Sequence, residues 1–184
     1  MNNRIVEPYR GYQLVAAEKG LKYVGKAWKD EAIVLQADGG SIDEVLVQLR
    51  SGTDKLLADR AATATPPSDA DYVAAFKRIL PTLSDGHLAM LKAHHRARDR
   101  SLTATQLAAA AKYSSYRAVN LQYGEVGKRL WEQLPTQLPR DSEDRLIFTF
   151  ALCDESDRSV PEDQWVWVMR PEVAAAVKQL GLHN

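Results

Sequence analysis

Residues 102–134 constrain the fold more than any other part of the chain, because they predict two helices joined by a tight turn. The first of these helices carries Leu107 and a run of alanines, which allows a neighbouring helix to approach closely. The helical pattern restarts at Tyr116 after three interrupting residues, Tyr113, Ser114 and Ser115. We therefore expect a helix-turn-helix, a unit that places the start of its second helix in the major groove of DNA.

The second helix has an apolar face whose residues recur with helical spacing: Val119, Tyr123, Val126 and Leu130. Arg117 lies opposite this face, and Asn120 and Gln122 flank it. Arginine can pair with guanine, and asparagine or glutamine with adenine. The sequence therefore predicts binding to double-stranded DNA, through Arg98, Arg100, Ser114, Ser115, Arg117, Asn120, Gln122 and Lys128. An ordinary helical bundle could carry the same helix pair, so that alternative stays open.

Two glycines, Gly124 and Gly127, lie inside the second predicted helix. Each costs about 1 kcal/mol relative to alanine, so we expect close approach by a neighbouring helix or by a nucleic-acid backbone. The same string is similar to the GxxG loop of KH domains. The apolar spacing continues through it, however, and no KH strand order surrounds it, which favours the helix.

The distribution of charge limits where nucleic acid could bind. The chain has 24 basic and 24 acidic residues, so its net charge gives no overall attraction to DNA. Residues 84–134 contain eight basic and four acidic side chains, whereas residues 135–163 contain three basic and eight acidic ones. Because acidic side chains repel phosphates, we expect only the helical part to contact DNA.

The segment from Ala61 to Asp69 predicts a boundary, since its small residues and Pro66–Pro67 end a helix. Before it, β-branched and aromatic residues predict three strands, at Tyr9–Val15, Leu21–Trp28 and Ala32–Ala37. Ser41, with Glu44 three residues later, then begins a helix. We expect an α+β protein with a βββα unit at 1–62, a linker and connecting helix at 63–83, and a helix-rich winged-helix-like domain at 84–184.

After the helix pair the pattern changes from helical to alternating. Ser84 begins a helix before the pair, and Pro171 opens a last helix after the alternating region. Alternating apolar residues predict a C-terminal β-hairpin with strands at Leu146–Leu152 and Trp165–Met169. Three helices followed by a hairpin is the order of a winged helix, in which the loop between the strands is the tip of the wing.

That loop is acidic, with Arg158 as its one basic residue, so it is a doubtful contact for DNA. Its carboxylates suit a protein partner better, unless the loop is simply solvated. The candidate protein-binding residues are Asp154, Glu155, Asp157, Glu162 and Asp163. The βββα unit offers a second docking surface, which an exposed Trp28 or a free strand edge would favour.

Neither catalysis nor a metal site is expected. His94 and His95 are adjacent, so their side chains diverge on a helix, and the sequence has no HExxH or CxxC motif. The single cysteine, Cys153, has no histidine near it in sequence and is expected to be a buried thiol. The acidic loop could gather around Mg²⁺, but a loop seldom holds the geometry that this ion demands. We expect no enzymatic activity, no cofactor and no metal.

No stretch reaches the roughly 20 apolar residues that a membrane helix needs. The first residues, MNNRIVEPYRGY, lack an apolar signal core. We therefore expect a cytoplasmic protein with no membrane partner, whose oligomeric state the sequence leaves open.

The stretch from Leu88 to Leu134, which begins LAMLKAHHRARDR and includes NLQYGEVGKRL, and the later WVWVMRPEVAAAVKQLG resemble an accessory module of predicted bacterial modular nucleases of the HNH and restriction type. The resemblance covers about half of the chain and implies a recognition module, with Arg117, Asn120, Gln122 and Tyr123 in the shared stretch. Two features depart from it: Lys112 stands where glycine is expected at the turn, and the nuclease portion is missing. No catalytic activity is therefore implied.

Two functional hypotheses follow from the sequence. The first is a non-catalytic DNA-binding winged-helix protein, which acts as a regulator or as the targeting module of a restriction or defence system. The second is a protein-binding module, such as a mobile-element inhibitor of a host nucleic-acid-processing complex.

Overall fold

The computed structural model describes residues 4–63, 66–156 and 165–183. It divides into two compact units, Met1–Thr63 and Ala64–Asn184. An antiparallel sheet and one helix form the first unit, while helices and a small sheet form the second. The predicted α+β class is therefore confirmed.

The first unit contains four strands that pair in chain order, followed by one helix: β1 (Arg4–Tyr9), β2 (Tyr12–Lys19), β3 (Lys22–Lys29), β4 (Ala32–Gly39) and α1 (Ile42–Thr63). The structure thus has one strand more than the predicted βββα unit. The sequence pattern predicted a single strand through Tyr9–Val15, but Arg10 and Gly11 both have positive φ and form a two-residue turn. That turn separates β1 from β2.

Helix α1 covers one face of this sheet. At its start, the N–H of Glu44 donates to Oγ of Ser41 at 3.1 Å, and Oε2 of Glu44 accepts from the N–H of Gly40 at 2.8 Å. A Cβ on Gly25 of β3 would overlap the side chain of Val45, so glycine allows the helix to lie close to the sheet. The core between them contains Leu14, Ala16, Ala27, Ile42, Val45, Leu46, Leu49 and Leu57.

The second unit has the strand and helix order of a winged helix. Its elements are α2 (Asp69–Ile79), α3 (Asp85–Arg96), β5 (Ser101–Thr103), α4 (Ala104–Ala111), α5 (Tyr116–Gln133), β6 (Cys153–Glu155), β7 (Val166–Met169) and α6 (Pro171–Gln179). The three short strands form one antiparallel sheet in the order β5–β7–β6, so the C-terminal hairpin is present and β5 is added to it. Helix α2 packs against α5 and α6. It therefore belongs to this unit, whereas the sequence placed it in a connecting segment.

The strand predicted at Leu146–Leu152 is wrong. Leu146 makes only an isolated bridge with Arg140, and the chain then forms a 3₁₀-helix at Phe148–Ala151. The cause is packing on α5: a Cβ on Gly127 would overlap the carbonyl oxygen of Phe148, so backbone lies directly on backbone there. The expected close approach is thus found at Gly127, where this 3₁₀ segment makes it, and not at Gly124. Helix α5 runs unbroken through the sequence that is similar to a GxxG loop.

The two α5 glycines give a matched test of this packing. Gly127→Ala should lower the free energy of unfolding of the second unit by about 2 kcal/mol, because the new methyl group overlaps backbone that cannot easily move. Gly124→Ala should raise it by up to about 1 kcal/mol, since a Cβ there would lie 3.7 Å from Oγ1 of Thr149 and alanine favours the helix. Urea denaturation measures both changes, and equal effects of the two substitutions would contradict the close contact.

Candidate nucleic-acid interface

The turn between α4 and α5 is closed by a left-handed residue. Lys112 has φ 58° and ψ 33°, and its N–H donates to the carbonyl of Ala109 at 3.2 Å. The N–H of Tyr113 donates to the carbonyl of Ala108 at 2.9 Å, which completes a Schellman motif. Lysine is the more costly residue here, by about 1 kcal/mol relative to glycine. Lys112, which stands where the resemblance leads us to expect glycine, therefore has a strained backbone conformation.

Tyr113 and Ser115 fix how α5 begins. A Cβ on Gly86, in the first turn of α3, would overlap the hydroxyl of Tyr113, so glycine allows this tyrosine to pack directly on α3. Ser115 is the N-cap of α5, and its Oγ accepts a hydrogen bond from the N–H of Ala118 at 3.3 Å. The turn is therefore tied to α3 on one side and to α5 on the other.

The start of α5 presents polar side chains to solvent. The residues that the apolar spacing predicts to be buried, Val119, Tyr123, Val126 and Leu130, are all buried, together with Gly127 and Trp131. The opposite flank is exposed, with Leu121 at 70% and Tyr116 at 50%. We call this flank the α5 surface, and it consists of Ser114, Ser115, Tyr116, Arg117, Asn120 and Leu121. It combines one cation, one carboxamide, two serine hydroxyls, one aliphatic side chain and one tyrosine.

Gln122 lies away from this surface. It is half-buried, and its Oε1 lies 2.9 Å from Nε2 of His87. Nδ1 of His87 accepts from the N–H of Ser84 at 3.3 Å, so a neutral ring carries its proton on Nε2 and donates it to Gln122. His87 is 4% exposed. The structure therefore gives Gln122 a packing role between α5 and the start of α3.

The remaining basic candidates lie apart from the α5 surface. Lys128 is half-buried and about 16 Å along the helix axis from Arg117. Arg98 and Arg100 follow the C-terminal end of α3, whereas the turn packs on the N-terminal end of that helix, at Gly86. Because α3 has 12 residues, the two places are about 18 Å apart. Of the eight predicted residues, the structure brings together Ser114, Ser115, Arg117 and Asn120.

A buried histidine holds the other side of α5. His94 on α3 is 0% exposed, its Nε2 lies 2.9 Å from the carbonyl of Trp167 on β7, and its Nδ1 lies 2.7 Å from the hydroxyl of Tyr123 on α5. A carbonyl can only accept, so Nε2 carries the proton and the Tyr123 hydroxyl donates to Nδ1. Burial lowers the pKa of His94 to about 4, and interactions with the backbone of Trp167 and Arg100 oppose this shift only in part. His94 is therefore a neutral core residue.

The acidic candidates are only partly described. Asp154 and Glu155 are exposed on β6, an edge strand of the small sheet. Asp157, Glu162 and Asp163 lie outside the described residues, as does Arg158. Docking of a protein to this loop therefore stays a prediction.

Within residues 4–63, 66–156 and 165–183, no group of three or more histidine, cysteine, aspartate or glutamate side chains is arranged to bind a metal ion. Cys153 is 1% exposed, and its Sγ donates to the carbonyl of Thr149 at 3.3 Å. Burial raises the pKa of this thiol well above its ordinary value, so the nucleophilic thiolate is disfavoured. The prediction of a buried thiol is confirmed.

The His94 bridge predicts how stability depends on pH. The unfolded chain takes up a proton near the ordinary histidine pKa of about 6.5, while the folded protein resists protonation down to about 4, so the unfolded state binds more protons between these values. The free energy of unfolding should therefore be highest above pH 6.5 and fall by about 2 kcal/mol from about pH 7.5 to about pH 5.

Chemical denaturation at several pH values measures this loss. In His94→Gln, the amide can still donate to Trp167 and accept from Tyr123 but cannot titrate, so the variant should lose less stability on acidification. His87 and His95 remain in both proteins and serve as an internal control. An equal acid loss in wild type and variant would contradict the assignment.

No protein-family model, no curated protein and no solved structure matches this chain. The resemblance to accessory modules of HNH and restriction-type nucleases therefore stays a prediction. Each helix in the described ranges is too short or too polar to pass through a lipid bilayer.

Proposed function

We propose that the second unit binds double-stranded DNA by placing the α5 surface in the major groove. One observation carries this proposal: Arg117 and Asn120 are exposed at the start of the second helix of a helix-turn-helix. In winged-helix and other helix-turn-helix proteins, residues at this place contact base edges. The opposite side of α5 is buried in the core, so the helix has one flank available for a groove.

The side chains of the α5 surface fit this role chemically. The guanidinium of Arg117 can donate two hydrogen bonds to O6 and N7 of a guanine, and the carboxamide of Asn120 can pair with N6 and N7 of an adenine. Leu121 and Tyr116 offer apolar contact to a thymine methyl group. Ser114 and Ser115 lie beside the helix N-terminus, where hydroxyl and backbone N–H groups can bind a phosphate. We infer that the surface combines base contacts with at least one backbone contact.

The proposed role is that of a non-catalytic regulator, or of the targeting module of a restriction or defence system, in the cytoplasm. The support for a targeting role is the chemistry of the α5 surface, whose guanidinium, carboxamide and hydroxyl groups can pair with base edges and phosphates. Because the chain has no net charge, affinity must come from the local surface rather than from an overall field. We therefore expect weak binding to unrelated DNA and a moderate dependence on salt.

The proposal predicts that single substitutions on the α5 surface weaken binding without unfolding the protein. Arg117→Ala and Asn120→Ala should each raise the dissociation constant for a selected duplex by about tenfold or more, the cost of one lost bidentate base contact. Fluorescence anisotropy with duplexes selected from a randomised pool measures the effect at several salt concentrations. Arg78→Ala is the matched control, because Arg78 is an exposed arginine on α2 of the same unit.

Three results would contradict the proposal. The first is that no duplex is enriched at low salt. The second is an affinity that does not fall as salt rises, because phosphate contacts must give a negative slope. The third is an equal loss in Arg117→Ala and Arg78→Ala, which would show that bulk charge rather than the α5 surface determines binding.

A further inference from the structure

Basic side chains gather where α3 and α6 end. His95 and Arg96 lie in the last turn of α3, and Lys178 lies in the last turn of α6. The imidazole of His183, which follows α6, lies against that of His95 with 5.4 Å between the ring centroids. Arg100, in the turn after α3, also acts on His95 through its charge. We call these five residues the basic cluster.

The members of the basic cluster are close enough to influence one another. Burial is the main cause that lowers the pKa of His95, and the charges of the other four members lower it further. Asp99 is the acidic residue of the adjoining turn, and it pairs with Arg98 at 3.9 Å. Like charges held together in this way repel one another, and an anion placed among them would remove that repulsion.

Helix dipoles explain only part of this arrangement. The negative C-terminal ends of α3 and α6 favour cations in their last turns, which accounts for Arg96 and Lys178. Arg100 and His183 lie beyond both helices. Arg100 also has φ 54°, a left-handed conformation that favours glycine, so an arginine is held there at a cost to the fold. Strain of this kind is found preferentially at binding sites.

One polar atom of the basic cluster lacks a partner. Nδ1 of His183 is buried and has no hydrogen-bond partner among the described residues. Because an unpaired buried polar atom is unfavourable, this nitrogen favours a site that is completed by a ligand. The imidazole of His95 and the side chain of Arg100 are half-buried, whereas Arg96 and Lys178 are exposed, so solvent reaches the cluster.

We propose that the basic cluster binds a phosphate group through Arg100, His95 and His183. The oxygens of a phosphate point in several directions, so donors from three separate segments can reach it, whereas a carboxylate offers its oxygens in one plane. A guanidinium pairs with phosphate through two parallel hydrogen bonds, and protonated imidazoles donate from both nitrogens. Paired imidazoles also suit metal ions, but Arg96 and Lys178 would repel a metal cation.

Two sources supply this chemistry: the backbone of a duplex bound by the second unit, and a phosphate ion free in solution. The first source rests on the proposed function, and the second does not.

A titration of the full chain with inorganic phosphate tests the site, with the histidine imidazole signals followed by nuclear magnetic resonance near pH 6.5. Sodium chloride of equal ionic strength is the reference. We expect saturation with a dissociation constant on the order of millimolar. The pKa of His95 should rise when phosphate is bound, because the anion offsets the neighbouring cations, so binding should strengthen as the pH falls from about 8 to about 6.

Arg100→Ala should weaken phosphate binding by about tenfold or more, since it removes the bidentate contact. Arg78→Ala is the matched control, because Arg78 is an exposed arginine on α2 of the same unit, and it should leave binding unchanged. Arg100→Gly separates binding from folding. Glycine suits the left-handed backbone, so this variant should lose phosphate binding without a lower melting temperature.

Duplex DNA then identifies the source. A backbone phosphate predicts that Arg100→Ala weakens binding to selected and unrelated duplexes alike and reduces the salt slope by about one. An unchanged duplex affinity, with loss of inorganic phosphate binding, would assign the site to a free phosphate.

Three results would overturn the site itself. They are signal changes that chloride reproduces, no saturation by about 50 mM phosphate, and equal phosphate affinity in Arg100→Ala and Arg78→Ala. Arg117→Ala should leave the binding of inorganic phosphate unchanged. This site and the α5 surface can therefore fail separately.

Discussion

The hydrogen bonds of His94 are the interaction on which the second unit depends, because one imidazole joins three elements that are distant in sequence. Its two nitrogens lie against the hydroxyl of Tyr123 on α5 and the carbonyl of Trp167 on β7. An unpaired polar atom at such depth would cost about 1–3 kcal/mol, so the three groups constrain one another. The bridge fixes which side of α5 faces inward, and it therefore determines which side can meet a ligand.

Two other contacts of α5 also fix its orientation in the second unit. The 3₁₀ segment packs on the helix at Gly127, and Gln122 is bonded to His87 at the start of α3. These contacts cover the middle of the helix and leave its first turns open, where Arg117 and Asn120 lie. Only one flank of α5 is exposed in its first turns, and this restriction, more than the presence of an arginine, determines which side chains could meet DNA.

Much of this could be predicted from the sequence, since periodic and capped elements depend on nearby residues. The core of α5 and the caps at Ser41 and Ser84 follow from spacing alone. The features that were missed depend on distant contacts. Strand β5 has three residues and forms only because β7 pairs with it, and the 3₁₀ segment replaces a predicted strand because Gly127 lies beneath it. The tight turn at Arg10–Gly11 depends on nearby residues, but an arginine followed by a glycine is only a weak indication of a two-residue turn. The sequence pattern therefore did not reveal it.

The small size of the α5 surface makes its rigid attachment important for the proposed function. One arginine and one carboxamide provide few phosphate or base contacts, and the neutral chain adds no long-range attraction. Binding through so few groups gains from a surface that is already ordered, because no side chain or loop then has to be immobilised at the cost of affinity. The hydrogen bonds of His94 and of Gln122, together with the packing at Gly127, hold α5 in place before any ligand binds.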